Sequence, residues 1–144
     1  LGTQAVSQAL VAGGVLPDPS LAAAAALRES LVDTEWRLIS VADSVTGEQA
    51  IEPDRYSITF VEPGDFAAQA DCNRLLGGWN LDNMTLTITP GPMTKALCSP
   101  DSQSDAYVGW LSTTTSAQVD DAGHLILTSN NDVTFTLLQF EAAQ

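Results

Sequence analysis

The chain has 144 residues, enough for one domain with a real core and too few for two comfortable ones. An apolar fraction of 44% beside only 16% charged residues argues for a folded globular chain and against disorder. Eighteen acids against five bases give a formal charge of −13, which argues against a nucleic-acid surface and against tight binding to anionic lipid, because both need positive charge.

Residues 1–33 form an alanine- and glycine-rich arm without an aromatic side chain. Within it, "LPDPS" (Leu16–Ser20) reads as a helix start: Asp18 can cap and Pro19 suits the first turn. "SLAAAAALRESL" has strong helix propensity, so a helix is predicted from Pro19 to Leu31, with a weaker one near Thr3–Ala12. Alanine offers little area to bury, so this arm is expected to dock lightly or to act as a spacer. "LAAAAAL" (Leu21–Leu27) falls far short of the ~18 apolar residues of a membrane span. The chain opens at Leu1 without a basic segment, and an exported protein would carry its leader, lipidated or not, ahead of that point.

From Thr34 the period changes to two. "TEWRLISV" places Trp36 and Leu38 on one face, and "RYSITFV" does the same for Tyr56, Ile58 and Phe60. "EPGD" (Glu62–Asp65) is a turn signal leading into a returning strand, "DFAAQAD". "MTLTITP" alternates most cleanly, with Met84, Leu86 and Ile88 on one side and three threonines on the other. "DSVTGE", "NLDN" and "SNND" read as turns. "SPDSQSDAYVGWLSTT" (Ser99–Thr114) breaks the alternation. Its Tyr107, Val108, Trp110 and Leu111 fall on one helical face, with Ser102 or Ser104 as cap, and the helix is expected to cover an open end or edge of the sheet. Near the C-terminus "HLILTS" and "VTFTLLQF" flank a polar turn, with Val133, Phe135 and Leu137 as the expected inner row. Regularly spaced strands with short turns make the fold class mostly β, a sandwich or barrel with one covering α-helix, preceded by the partly helical arm.

The chemistry turns on Cys72 and Cys98, the only cysteines, and on His124, the only histidine. A nucleophilic Cys72 with His124 as its base is one reading. Asp71 beside the thiol and the negative field of the chain both oppose it, because reactive thiolates favour positive surroundings. Two cysteines and one histidine, without CxxC or HxxxH spacing, make a poor zinc set, and no DxDxDG loop is present for calcium. No cofactor is expected. The third reading is a disulfide across 26 positions, with both sulfurs pointing inward from neighbouring strands. It would stabilise by about 3–4 kcal/mol in the chain-entropy model and would suit an oxidising, extracytoplasmic compartment. Two reduced, buried core thiols remain the plainer alternative.

Around these residues the chain resembles the META domain (HslJ-like) family. "TEWRLISV" is similar to the family's opening tryptophan strand, "DCNRLLGGWN" to its GCNR…G-aromatic segment, "MTKALC" to its T…AC segment, and "LILTSNNDVTFTL" to its closing hairpin. Asp71 stands where the family usually has glycine. The motif residues are Asn73, Arg74, Gly77, Trp79 and Thr94. The resemblance implies a compact, barrel-like antiparallel sheet over residues 34–141 with one covering α-helix, common among bacterial envelope proteins and lipoproteins and often linked to stress tolerance, and it brings no catalytic residues. Its fold is similar to that of pilotin-type lipoproteins, which hold an apolar tail.

On physical grounds Asn73 suits backbone groups at a strand end, Arg74 is expected to pair with an acid, and Gly77 and Gly78 permit a bulge or close approach beside Trp79. Phe66, Trp79, Tyr107 and Trp110 are the candidates for an exposed apolar groove. The expected function is a non-enzymatic, extracytoplasmic domain that binds a protein segment or an apolar ligand or supports the envelope. The alternatives are an enzyme using Cys72 with His124 and an assembly module acting through residues 1–33.

Overall fold

The computed structural model describes residues 19–45, 47–130 and 135–143. The weaker helix expected near Thr3–Ala12, and Val133, lie outside them. Helix α1 spans Pro19–Leu31, and helix α2 spans Ser104–Ser112. The strands are β1 (Glu35–Asp43), β2 (Gly47–Ala50), β3 (Tyr56–Val61), β4 (Asp65–Ala70), β5 (Asn73–Asp82), β6 (Thr85–Met93), β7 (Thr114–Val119), β8 (Leu125–Asn130) and β9 (Phe135–Ala142).

All nine strands belong to one antiparallel sheet, and β9 returns to pair with β1, so the sheet closes into a ring. β1 is shared on its other side: Glu35–Arg37 pair with β3, and Ser40–Asp43 pair with the short edge strand β2. The ring has one weak seam, where β6 meets β7 through the single pair Thr85↔Ser116. Helix α2 packs there, placing Tyr107 and Leu111 in the core. Tyr107 touches the rings of Tyr56 and Phe140, and its hydroxyl donates to the Ser57 carbonyl (2.9 Å), which satisfies a group that burial alone would penalise. That same burial pushes its phenol well above the ordinary value.

The alternation read from β1, β3 and β4 fixes the inner face. Trp36, Leu38, Tyr56, Ile58, Phe60, Phe66, Ala68 and Ala70 are all buried. Two rows differ from expectation. Met84 sits in the β5–β6 turn, beside Asn83 with its positive φ of 56°, and is exposed. In β9 the row is inverted: Phe135 is 45% exposed and Leu137 also faces outward, while Thr136, Leu138 and Phe140 are buried. The register explains this. Leu127↔Leu138 and Leu125↔Phe140 bring buried partners together, and a strand offset by one residue turns every side chain to the other face. Thr136 then lies opposite the buried Ser129, whose hydroxyl meets that of Thr113 at 2.5 Å. Strands β2 and β7 were not expected. β2 is exposed along its whole length, and β7 carries an irregularity between Thr114 and Ser116 that hides its period.

Helix α1 docks more firmly than its alanine content suggests. Leu27 is buried and Leu31 is fully so, both within the core. Val32 forms a parallel bridge to Phe60, and the Asp33 N–H donates to the Phe60 carbonyl at 2.8 Å. Arg28, in the last turn where a cation suits the helix dipole, pairs with Glu62 at 2.9 Å and lies over the Trp79 ring.

Candidate functional site

The residues that carry chemistry converge on one end of the ring, around the segment Thr94–Gln103 that joins β6 to α2. This strap contains neither helix nor strand. None of its residues belongs to the apolar core, yet it is fastened to the rest of the fold at four points.

The first fastening is covalent. Cys72 and Cys98 form a disulfide with a Cα–Cα distance of 5.6 Å. The sulfurs do not point inward as expected. Strand β4 ends at Ala70, and Ala70↔Asn73 closes a two-residue turn, so Cys72 occupies the turn and is exposed. Asp71 makes that turn with a φ of 58°, a left-handed conformation that Asp tolerates better than most side chains. Its N–H donates to the Arg55 carbonyl (2.7 Å), and its carbonyl accepts from the Gln69 amide (3.1 Å). The turn is thus kept without glycine.

The second fastening is Asn73, which is 5% exposed. Its Oδ1 accepts from the Ala96 N–H (2.6 Å) and from the Thr94 hydroxyl (3.0 Å). Its Nδ2 donates to the Ala96 carbonyl (3.1 Å) and, more weakly, to Cys98 Sγ (3.5 Å). Thr94 Oγ1 in turn accepts from the Arg74 N–H (2.9 Å), and the Thr94 N–H donates to the Arg74 carbonyl (3.0 Å). One side-chain amide therefore occupies both main-chain groups of Ala96.

The third fastening is ionic. Arg55, 20% exposed, holds Asp71 through Nη2 and Nε (2.7 and 3.3 Å) and Asp101 through Nη1 and Nη2 (3.2 and 3.3 Å). The Arg55 hydrogen bonds hold the Asp71 carboxyl below its ordinary value. The Ser99 hydroxyl, at 2.7 Å, and then Arg55 do the same for Asp101. Arg55 is correspondingly raised, first by Asp71. Fourth, the Gln103 N–H donates to the Tyr56 hydroxyl at 2.7 Å. Gln103 is the N-cap position of α2 and makes no side-chain cap, so the start of the helix is fixed by Tyr56 and by Ser102 Oγ, which accepts from the Ser104 N–H.

Between these anchors stands Leu97, which is 100% exposed. Behind it, the strap and the start of α2 enclose a cleft of about 320 Å³ lined by Asn73, Cys98, Ser102 and Ser104 among others.

The other candidates lie elsewhere. Phe66, Trp79 and Tyr107 are core side chains, and only Trp110 is partly exposed, so the groove expected from these four is not open. Trp79 packs edge-on against Phe60 and donates to the Val61 carbonyl. Gly77 is required by contact, since a Cβ there would lie 2.6 Å from the Phe66 ring and would strike the Thr89 carbonyl. Arg74 is exposed and makes no ion pair among the described residues; Arg55 has the role expected of it. His124 sits at the turn before β8 with its Nδ1 against Gln139 Nε2 (2.8 Å). Cys72, as a disulfide, has no thiol to share with it. Among the described residues no three His, Cys, Asp or Glu side chains converge where a metal could sit, and no helix is long and apolar enough to cross a membrane. Arg55, Asp101 and Leu97 were not singled out by sequence, because nothing in their spacing links positions 55, 71 and 101.

Comparison with known proteins places this architecture. A solved structure of a protein from Burkholderia xenovorans, determined by NMR, is 23% identical and superposes with a TM-score of 0.64, over 91% of this chain and 94% of that one. The crystal structure of a DUF4847 family protein from Bacteroides vulgatus is 17% identical with a TM-score of 0.54, over 78% and 95% of the two chains. At these identities the likeness is one of fold. No curated protein matches. The META domain family model matches residues 29–142, and the chain belongs to the META domain family.

Proposed function

We propose that this chain is an extracytoplasmic recognition domain without chemistry of its own, and that it presents the strap Thr94–Gln103 to a protein partner. The observation that carries this reading is the combination of four fastenings with a fully exposed leucine between them. Exposed apolar side chains on loops are ordinary; one held by a disulfide and a buried amide is pre-organised, which lowers the entropy lost on binding. The disulfide supports the compartment, because such bonds persist where the surroundings are oxidising. Both sulfurs are engaged in that bond, which leaves the Cys72–His124 reading without a nucleophile. A protein partner is favoured over an apolar small molecule, because the aromatic side chains that would line a groove are in the core.

The test is a photoreactive residue placed at position 97 and, separately, at Leu76, which is also exposed at 56% but lies on β5. In the producing cell, adducts are expected from position 97 and not from 76. Equal adducts at both, or none at either, would reject the strap as the contact.

A further inference from the structure

The strap has the anatomy of a protease substrate that is prevented from leaving. We propose that it is a substrate-like inhibitory segment for a serine endopeptidase with an apolar primary pocket, and that Leu97 is the residue entering that pocket. This rests on the recognition reading above and names its partner class.

Three observations converge. The first is the main chain. Both the N–H and the C=O of Ala96 are turned inward to Asn73. In an extended chain the neighbouring residues present theirs to the opposite edge. Those of Lys95 and Leu97 accordingly make no hydrogen bond among the described residues. No residue from Thr94 to Ser99 has a positive φ, and the strap's own backbone turn comes after that stretch, where the Ser102 N–H donates to the Ser99 carbonyl (2.9 Å). An endopeptidase reads such an edge by adding it as a strand, with main-chain bonds to alternate residues and a pocket for one side chain. The second is that side chain. Leu97 is a large apolar residue with its whole surface in water, the shape an apolar primary pocket accepts. The third is the placement of the fastenings on either side of the Leu97–Cys98 bond. Asn73 and Arg74 hold the side before it, through Ala96 and Thr94. The disulfide and the Arg55–Asp101 pair hold the side after it.

These fastenings decide between substrate and inhibitor. The enzyme's serine oxygen adds to the Leu97 carbonyl carbon, and the serine proton passes through the enzyme's base to the Cys98 nitrogen as the peptide bond breaks. That leaves a Leu97 ester and a free Cys98 amine. In a loose peptide the amine diffuses away and water attacks the ester. Here the disulfide and Asp101 keep the amine beside the ester at high effective concentration. It re-adds to the ester carbonyl, returns its proton through the same base to the serine oxygen, and restores the peptide bond. No oxidant or other reactant enters.

The experiment titrates the oxidised full chain against chymotrypsin, subtilisin and trypsin, each read with its own chromogenic peptide. Saturable, competitive inhibition of chymotrypsin or subtilisin is expected, with trypsin unaffected and the chain recovered intact. Leu97→Gly should weaken inhibition by at least about 100-fold, because it empties the pocket. Leu97→Lys should transfer inhibition to trypsin. Chain reduced at Cys72–Cys98 should be cut after Leu97 and consumed. No inhibition of either apolar-pocket enzyme at about 10 μM would overturn the proposal. So would rapid cleavage of the oxidised chain, or inhibition indifferent to Leu97→Gly. Adducts from position 97 to a non-protease partner, with no inhibition, would reject this inference while leaving the recognition reading standing.

Discussion

Replacing Asn73 by alanine tests the strap's architecture most directly. The substitution removes three hydrogen bonds of good length, to the Ala96 N–H, the Ala96 carbonyl and the Thr94 hydroxyl, and a weak one to Cys98 sulfur. At roughly 1 kcal/mol net for each good bond the upper figure is about 3 kcal/mol. Ala96 and Thr94 are exposed, so their freed groups return to water and no buried orphan is created. That places the expected loss at about 1.5–3 kcal/mol, or a fall in Tm of about 5–10 °C for a chain of this size. Urea denaturation monitored by tryptophan fluorescence measures the global loss. Amide exchange at Ala96 measures the local one, and it should rise further than exchange in β5. Asn73→Asp sharpens the test. The carboxylate still accepts from Thr94 and Ala96 but faces the Ala96 carbonyl without a donor, so the loss should persist at neutral pH and shrink when acid protonates it. A loss below about 0.5 kcal/mol for Asn73→Ala, with the Ala96 amide still protected, would refute the claim that this amide holds the strap.

Four further outcomes are expected. Removing the disulfide by the double change Cys72→Ala and Cys98→Ala, which opens a loop spanning 26 positions, should cost about 3.5 kcal/mol in the chain-entropy model, read as a urea midpoint shift. Asp71 and Asp101 have lowered carboxyl values when folded, so their contribution is present above about pH 4 and is lost as pH falls through the lowered values. Asp71→Asn, which tolerates the same positive φ, should therefore be less stable than the natural chain at pH 7, with the difference closing on acidification toward pH 2. Gly77→Ala should destabilise by about 1–3 kcal/mol or more, since its Cβ meets the Phe66 ring and the Thr89 carbonyl, which cannot both give way. Leu31→Ala, at a fully buried site of α1, should cost about 2–5 kcal/mol, whereas a merely tethered helix would show no loss.

The sheet was legible where one face is buried without interruption, as in Tyr56, Ile58 and Phe60. It was illegible where the period carries no contrast. In "TFTLLQF" Leu137 and Leu138 stand side by side, so the pattern admits either face, and pairing with β8 and β1 chooses Leu138. The helix α1 could be read to the residue from Pro19 and the alanine run, but its docking could not. That depends on Leu27 and Leu31 joining a core built from the sheet, and on Val32 bridging to Phe60 of β3. At the site, the cysteine pair was readable because there were only two. Its direction was not, because Asp71 turns the chain before Cys72 and puts the sulfur outside. Arg55 was invisible for a related reason: Asp71 and Asp101, from separate segments, meet it only in the folded chain.

Where the fastenings fall bears on what they are for. Were the disulfide, the buried amide and the arginine pairs there to steady the sheet, they would belong at its weakest point, the β6–β7 seam with its single strand pair. None of them lies there; α2, packed mainly on β6, sets Tyr107 and Leu111 into the core instead. Positioning α2 does not require all of them either. The Tyr56 hydroxyl already fixes the helix start at Gln103, while Asn73 and Cys72 act on Ala96 and Cys98, several residues upstream. Those two anchors constrain a stretch that contributes nothing to the core and whose most apolar residue lies wholly in water. Holding such a stretch in one conformation gains the isolated domain little, and it gains a complex the ordering entropy that a loose loop would have to lose. The motif residues Asn73 and Thr94 and both cysteines act on this one segment, the arrangement that the proposed presentation of Leu97 requires and that consolidation of the ring does not.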